Sequence, residues 1–140
     1  MRFLVWNCRG AGQASTIECL NAQILSVQPS VVCVMETMLN VNRSVGVIKN
    51  VVGDFESFVV PSVGLSGGMW LLWPKEMELE LVYSEEWFIK MRMKYEGKLL
   101  YALAVYGNAK YEIRRMQWDY LEELVFYHGA NYGWIDILAL

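Results

Sequence analysis

The chain has 140 residues, enough for one domain with a core of its own, and its net charge of −3 excludes strong non-specific attraction of polyanions to the whole surface. Hydrophobic residues make up 55% of it, yet no uninterrupted apolar run approaches the ~18 residues of a membrane helix, so no membrane partner is expected. The excess is expected in a sheet buried on both faces. Phe3-Leu4-Val5-Trp6 is too short for a signal-peptide core, which places the chain inside the cell, with nucleus and cytoplasm undetermined. Cys8, Cys19 and Cys33 form no C-x-x-C pair and read as buried, reduced thiols rather than zinc ligands or a disulfide framework.

Residues 2–6 are expected as a first strand that stops at Asn7. Ser15 and Glu18 have capping-box spacing, so a helix is expected from Ser15, with Ile17, Leu20, Ile24 and Val27 on its buried face. Pro29 ends it and residues 31–35 form the second strand, which stops at Glu36. The two strands run parallel in a compact βαβ unit, which sets Asn7 and Glu36 at neighbouring carboxyl ends. Open α/β sheets bind ligands at that edge. One carboxylate beside one amide oxygen is a sparse, hard-oxygen site of the kind that holds a hydrated Mg²⁺.

The segment 41–50 reads as a short helix, 55–60 as a strand, and 70–73 as another strand stopped by Pro74. Residues 78–83 alternate, and 88–95 alternate more strictly, with Lys90, Arg92 and Lys94 on one side and Ile89, Met91, Met93 and Tyr95 on the other. Glu96-Gly97 turns the chain into a returning strand at 99–106, a β-hairpin. A long helix over 111–127 is expected to bury Ile113, Met116, Tyr120, Leu121, Leu124 and Tyr127, with Gly129 as its C-cap. The fold class is therefore α/β of the mixed α+β kind. Residues 90–115 carry seven Lys and Arg against two glutamates, so a polyanion contact is expected there.

Gly10-Ala11-Gly12-Gln13-Ala14-Ser15 follows a strand and precedes a helix, as a dinucleotide fingerprint does. Ser15 stands where the third glycine belongs, and the later hairpins do not suit a doubly wound sheet.

The segments Phe3-Leu4-Val5-Trp6-Asn7-Cys8-Arg9-Gly10, Val34-Met35-Glu36-Thr37, Ser66-Gly67-Gly68-Met69-Trp70-Leu71-Leu72-Trp73 and Val105-Tyr106-Gly107 occur in that order. On them the chain resembles the endonuclease/exonuclease/phosphatase superfamily, with its DNase I-like fold. Within it the resemblance is greatest to the endonuclease domain of plant LINE-type, non-LTR retrotransposons. It runs from residue 2 to about residue 127. It implies a two-sheet sandwich flanked by helices and Mg²⁺-dependent (or Mn²⁺-dependent) cleavage of DNA phosphodiesters. Glu36 would be the metal carboxylate, Asn7 would orient metal or phosphate, and Tyr106 would lie beside the scissile phosphate. Arg114 and Arg115 would fall in the basic helix start after the Tyr-Gly element.

The family's Gly-Asp-Phe-Asn strand end and terminal Asp-His pair have no match in this sequence. Asp136 lies about where the Gly-Asp-Phe-Asn strand is expected, and His128 is expected only to cap a helix. The 140 residues are thus expected to form one C-terminally incomplete domain, the N-terminal portion of a nuclease, truncated and with little or no activity. Two other outcomes fit the same residues. One is a non-catalytic nucleic-acid binder using Lys90, Arg92, Lys94, Arg114 and Arg115; the other is self-association through an uncovered sheet.

Overall fold

The computed structural model describes the backbone of residues 1–127 and 133–139 and the side chains of residues 1–125. It is a mixed α/β structure with two four-stranded sheets and flanking helices. Backbone contacts gather into two compact units, residues 1–77 and 78–140.

The first unit contains β1 (Phe3–Asn7), α1 (Ala14–Val27), β2 (Val31–Met35), α2 (Val41–Ile48), β3 (Phe55–Val60) and β4 (Met69–Pro74). Its strands lie in the order β1-β2-β4-β3. The expected parallel pair is present, with Phe3 opposite Val31 and Asn7 opposite Met35. β4 joins antiparallel to both β2 and β3. Val32 and Val34 of β2, with Trp70 and Leu72 of β4, pack against Ile17, Leu20 and Ile24 of α1. Each such side chain contributes about 1.5–3 kcal/mol when fully buried. The alternate residues Val31, Cys33, Met35, Met69 and Leu71 are buried as well, so this sheet has two apolar faces. That is why β2 reads as a continuous apolar run.

The capping box does not form. Gln13 is the N-cap, with no side-chain cap bond, and α1 starts at Ala14. Ser15 is already inside the first turn, where its hydroxyl cannot act as the cap. The chain is fixed upstream by Gly10 N–H donating to Glu36 O and Ala11 N–H to Thr37 O, so the helix begins as soon as it leaves those bonds. At the other end Gln28 closes the helix in the left-handed region, its N–H on Ile24 O, and Pro29 follows. Of the three cysteines only Cys33 is buried. Cys8 is half-buried and Cys19 exposed, and all three are free thiols.

The second unit contains β5 (Leu79–Glu85), β6 (Phe88–Tyr95), β7 (Lys98–Tyr106), α3 (Tyr111–Tyr127) and β8 (Gly133–Ala139). Its strand order is β5-β6-β7-β8, antiparallel except for the parallel β7–β8 pair. The terminal apolar stretch is therefore a strand, and its backbone sets Asp136 opposite Leu103. Phe88, Leu103 and Val105 form a core with Leu121, flanked by Trp87, Leu124 and Val125.

α3 presents part of the expected face: Leu121 is buried and Leu124 packs against the core. Among its described side chains Gln117 is buried as well, whereas Ile113, Met116 and Tyr120 are 41%, 71% and 41% exposed, and Tyr127 lies outside the described side chains. Asn108 N–H donates to Gln117 Oε1 at 2.9 Å, and this bond to the turn before the helix fixes which stripe faces inward. Gly129 and His128 lie outside the described residues. Among the described residues no helix is long and apolar enough to cross a membrane.

Candidate active site

Asn7 is the last residue of β1, and Glu36 is the first residue beyond β2. Parallel pairing brings these two ends together, and both residues are half-buried. Cys8 N–H donates to Met35 O at 3.0 Å and Gly10 N–H to Glu36 O at 2.8 Å, so the two strand ends remain laced past the sheet. Asn7 Oδ1 accepts from Arg9 N–H at 3.3 Å, an Asx-type bond that fixes its amide. Burial raises the Cys8 thiol pKa, backbone N–H donors at Gly10 and Cys8 lower it, and the Glu36 carboxylate nearby raises it further.

The backbone here is strained. Arg9 (φ 51), Glu36 (φ 59) and Met38 (φ 58) all occupy the left-handed region, although none is glycine. Each such residue costs on the order of 1–3 kcal/mol, and they persist only where the surroundings over-determine them. The surroundings do so here. Thr37 N–H donates to Gly68 O at 3.2 Å, Met38 N–H to Gly67 O at 2.8 Å, and Ser62 N–H to Leu39 O at 3.0 Å. Gly68 (φ +91) packs so closely that a Cβ there would overlap Thr37 Oγ1. The Ser-Gly-Gly element thus acts as a brace behind Glu36.

Among the described residues no three His, Cys, Asp or Glu side chains cluster as metal ligands. The edge offers one carboxylate and one amide oxygen. That donor set suits a hard cation that keeps most of its water, and does not suit zinc, which takes four ligands of its own in a structural site.

In the second unit, Tyr106 ends β7 and its N–H donates to Trp87 O at 2.8 Å. Arg114 holds the β7–α3 turn: its Nη1 donates to Asn108 O at 3.0 Å, and its guanidinium lies 5.9 Å from the Tyr111 ring centroid. Arg115 is exposed on the helix. The β6 cations are not an open stripe. Lys90 is only 2% exposed, with its ammonium 5.3 Å from the Tyr101 ring centroid, and burial lowers its pKa. Arg92 pairs with Glu80, and Lys94 lies 3.8 Å from Glu78. The acidic segment before β6 thus lies on β5 and offsets it.

Sequence reasoning did not single out Arg43. Its Nη2 lies 3.3 Å from where a Cβ on Gly12 would sit, beside the start of α1. The Gly-Ala-Gly-Gln run just before a helix was the available signal.

Neither a protein-family model nor a curated protein gives a significant match to the sequence. Solved structures do match. An AP endonuclease from Leishmania major superposes with a TM-score of 0.70 at 17% identity, over 96% of this chain and 53% of its own. TDP2 from D. rerio, in complex with a single-strand DNA product, gives 0.72 at 15% identity, over 97% and 58%. The chain has the DNase I-like fold. The human Nocturnin catalytic domain, with a bound sulfate, shares this DNase I-like arrangement at a TM-score of 0.62 and 16% identity, over 97% and 63%. A protein named for the endonuclease/exonuclease/phosphatase family, from Bacteroides thetaiotaomicron, matches over 97% of the chain as well. The chain spans 53–63% of the length of these structures.

Proposed function

We propose that this DNase I-like chain is a Mg²⁺-dependent (or Mn²⁺-dependent) DNA endonuclease domain of the retroelement type, similar to those of plant LINE elements. The observation that supports it most is the Asn7–Glu36 edge: a carboxylate held on left-handed backbone (φ 59), braced from behind, beside a fixed amide. Bound there, a divalent cation would act as a Lewis acid on a phosphodiester and as a template for in-line attack by water. Glu36 would hold the ion through its carboxylate, and Asn7 would orient the ion through Oδ1 or a phosphate oxygen through its Nδ2–H. The hydrogen bonds of Thr37 and Met38 to Gly68 and Gly67 hold the strained backbone at Glu36 in place. DNA as substrate accords with the single-strand DNA product in the D. rerio structure of the same fold.

The 140 residues by themselves would cleave slowly. They contain no Gly-Asp-Phe-Asn, and among the described residues no three His, Cys, Asp or Glu side chains gather as metal ligands. Missing general acid–base help lowers rates by ~10²–10⁴. A plain binding role through β6 has less support, because its cations are buried or paired.

The test is Mn²⁺ titration followed by NMR. Paramagnetic broadening centred on the amides of Asn7, Cys8, Glu36 and Thr37, and absent in Glu36→Gln, is the expected result. Broadening that starts elsewhere, or survives the substitution, would remove the metal site.

A further inference from the structure

We infer that the polar pocket at the start of α1, beside the Asn7–Glu36 edge, is a phosphate-binding site. The pocket measures about 300 Å³ and is lined by Arg9, Gly12, Gln13, Thr16, Thr37 and Arg43 among others, with no carboxylate in its wall. Neither Arg9 nor Arg43 takes part in an ion pair among the described residues. Two unpaired guanidiniums around one cavity are unusual in a chain with more acidic than basic residues.

The helices sharpen the point. α1 begins with no side-chain cap and no acidic residue in its first turn, and α2 likewise has no acid in its first turn. Arg43 is itself in that first turn, its N–H held by Asn40 Oδ1 at 2.8 Å. A cation at a helix N-terminus opposes the macrodipole, which favours anions there by about 0.3–1 kcal/mol. Positive helix ends and arginines are therefore set against each other, and an anion between them is attracted to both. Gly12 leaves room for the Arg43 guanidinium, whose Nη2 lies 3.3 Å from where a Cβ would sit. Thr37 also lines the pocket, with its buried Oγ1 turned towards Gly68.

The ligand chemistry follows. Backbone N–H groups at a helix start together with planar guanidinium forks match the oxygens of a phosphate. Arg9 is two residues from Asn7 and Thr37 is adjacent to Glu36, so a nucleic-acid strand with one phosphate at the edge would pass a neighbouring phosphate over this pocket. The strand as the source of the phosphate rests on the proposed endonuclease reading; the pocket's affinity for a phosphate group does not.

Two probes separate these sources: inorganic phosphate and a fluorescein-labelled duplex oligonucleotide, each added to the full chain. Phosphate should shift the amides of residues 12–16 and the Nε–Hε signals of Arg9 and Arg43, and the shifts should vanish in the double variant Arg9→Gln/Arg43→Gln. Duplex binding, followed by anisotropy, should weaken in that variant. Its plot of log Kd against log salt should flatten by about 0.9, because one phosphate is no longer neutralised. If the double variant does not fold, the single variants Arg9→Gln and Arg43→Gln should each weaken both responses.

Shifts with phosphate but an unchanged duplex salt slope would assign the pocket to free phosphate or a phosphate monoester and overturn the strand as source. No shift at residues 12–16 with either probe would overturn the site. Two variants keep the readings apart: loss of the metal response with intact phosphate shifts in Glu36→Gln leaves the pocket standing, and loss of the phosphate shifts with an intact metal response in Arg9→Gln/Arg43→Gln leaves the metal edge standing.

Discussion

Gly68→Ala is the most discriminating single substitution behind Glu36. The residue has φ +91, where an alanine costs about 1–3 kcal/mol of backbone strain, offset by about 0.4–1 kcal/mol from the stiffer unfolded chain. The new Cβ would also overlap Thr37 Oγ1 and stand 3.3 Å from Met38 N and 3.4 Å from Ser62 N, two backbone atoms with little freedom to retreat. Overpacking of this kind costs a further ~1–3 kcal/mol, so a loss of about 2–4 kcal/mol is expected. Gly67→Ala is the control. Its φ is +74, and nothing lies within 4 Å of the added Cβ, so it carries the strain without the overlap. Urea unfolding at constant m measures both. Gly68→Ala should exceed Gly67→Ala by at least ~1 kcal/mol, and Thr37→Ala in the Gly68→Ala background should recover part of the difference. Equal losses at the two glycines would refute the brace.

Burial holds the Lys90 pKa below its ordinary 10.5, so in the pH range between the two values the unfolded chain binds more protons and stability rises with pH. Relative to Lys90→Met, the natural chain should therefore gain stability as pH climbs from neutrality towards 10.5; a pH-independent difference in urea curves would show that Lys90 is not confined. Glu78→Gln/Glu80→Gln should cost less than about 1 kcal/mol per exposed pair, with the loss shrinking at high salt. The same variant should bind duplex DNA more tightly by anisotropy, since Arg92 and Lys94 lose their partners. Burial pushes the Cys33 thiol up to about 12, so a thiol reagent should label Cys19 in native protein and reach Cys33 only on unfolding. Labelling of Cys33 at the Cys19 rate would contradict its buried position.

How much of this was legible in the sequence depends on the range of the interaction involved. β6 keeps the bounds 88–95 because strict alternation and the Glu96-Gly97 turn are local signals, and β3 keeps 55–60 because Pro61 stops its run. The edge with Asn7 and Glu36 follows from two short apolar runs separated by one helix. The inner face of α3 was legible only in part. Leu121 and Leu124 face the core as their hydrophobicity implies, but Ile113, Met116 and Tyr120 from the same apolar set are exposed. Gln117 is turned inward by its bond from Asn108, and no count of apolar residues registers a buried glutamine. Alternation placed Lys90 on the correct side of β6 but could not give its depth, which depends on neighbours such as Tyr101 across the hairpin. The capping box failed because backbone bonds from the strand ends fix where the chain enters α1. The Arg43–Gly12 approach joins residues 31 positions apart, and only the folded first unit reveals it.

The central claim is that the Asn7–Glu36 edge performs metal-assisted phosphodiester cleavage. Nicking of supercoiled plasmid by the purified chain and by Glu36→Gln, with Mg²⁺ and with Mn²⁺, tests it most directly. Slow, metal-dependent nicking by the natural chain that disappears in Glu36→Gln is the predicted result. Metal-dependent nicking at the same rate by both proteins would contradict it.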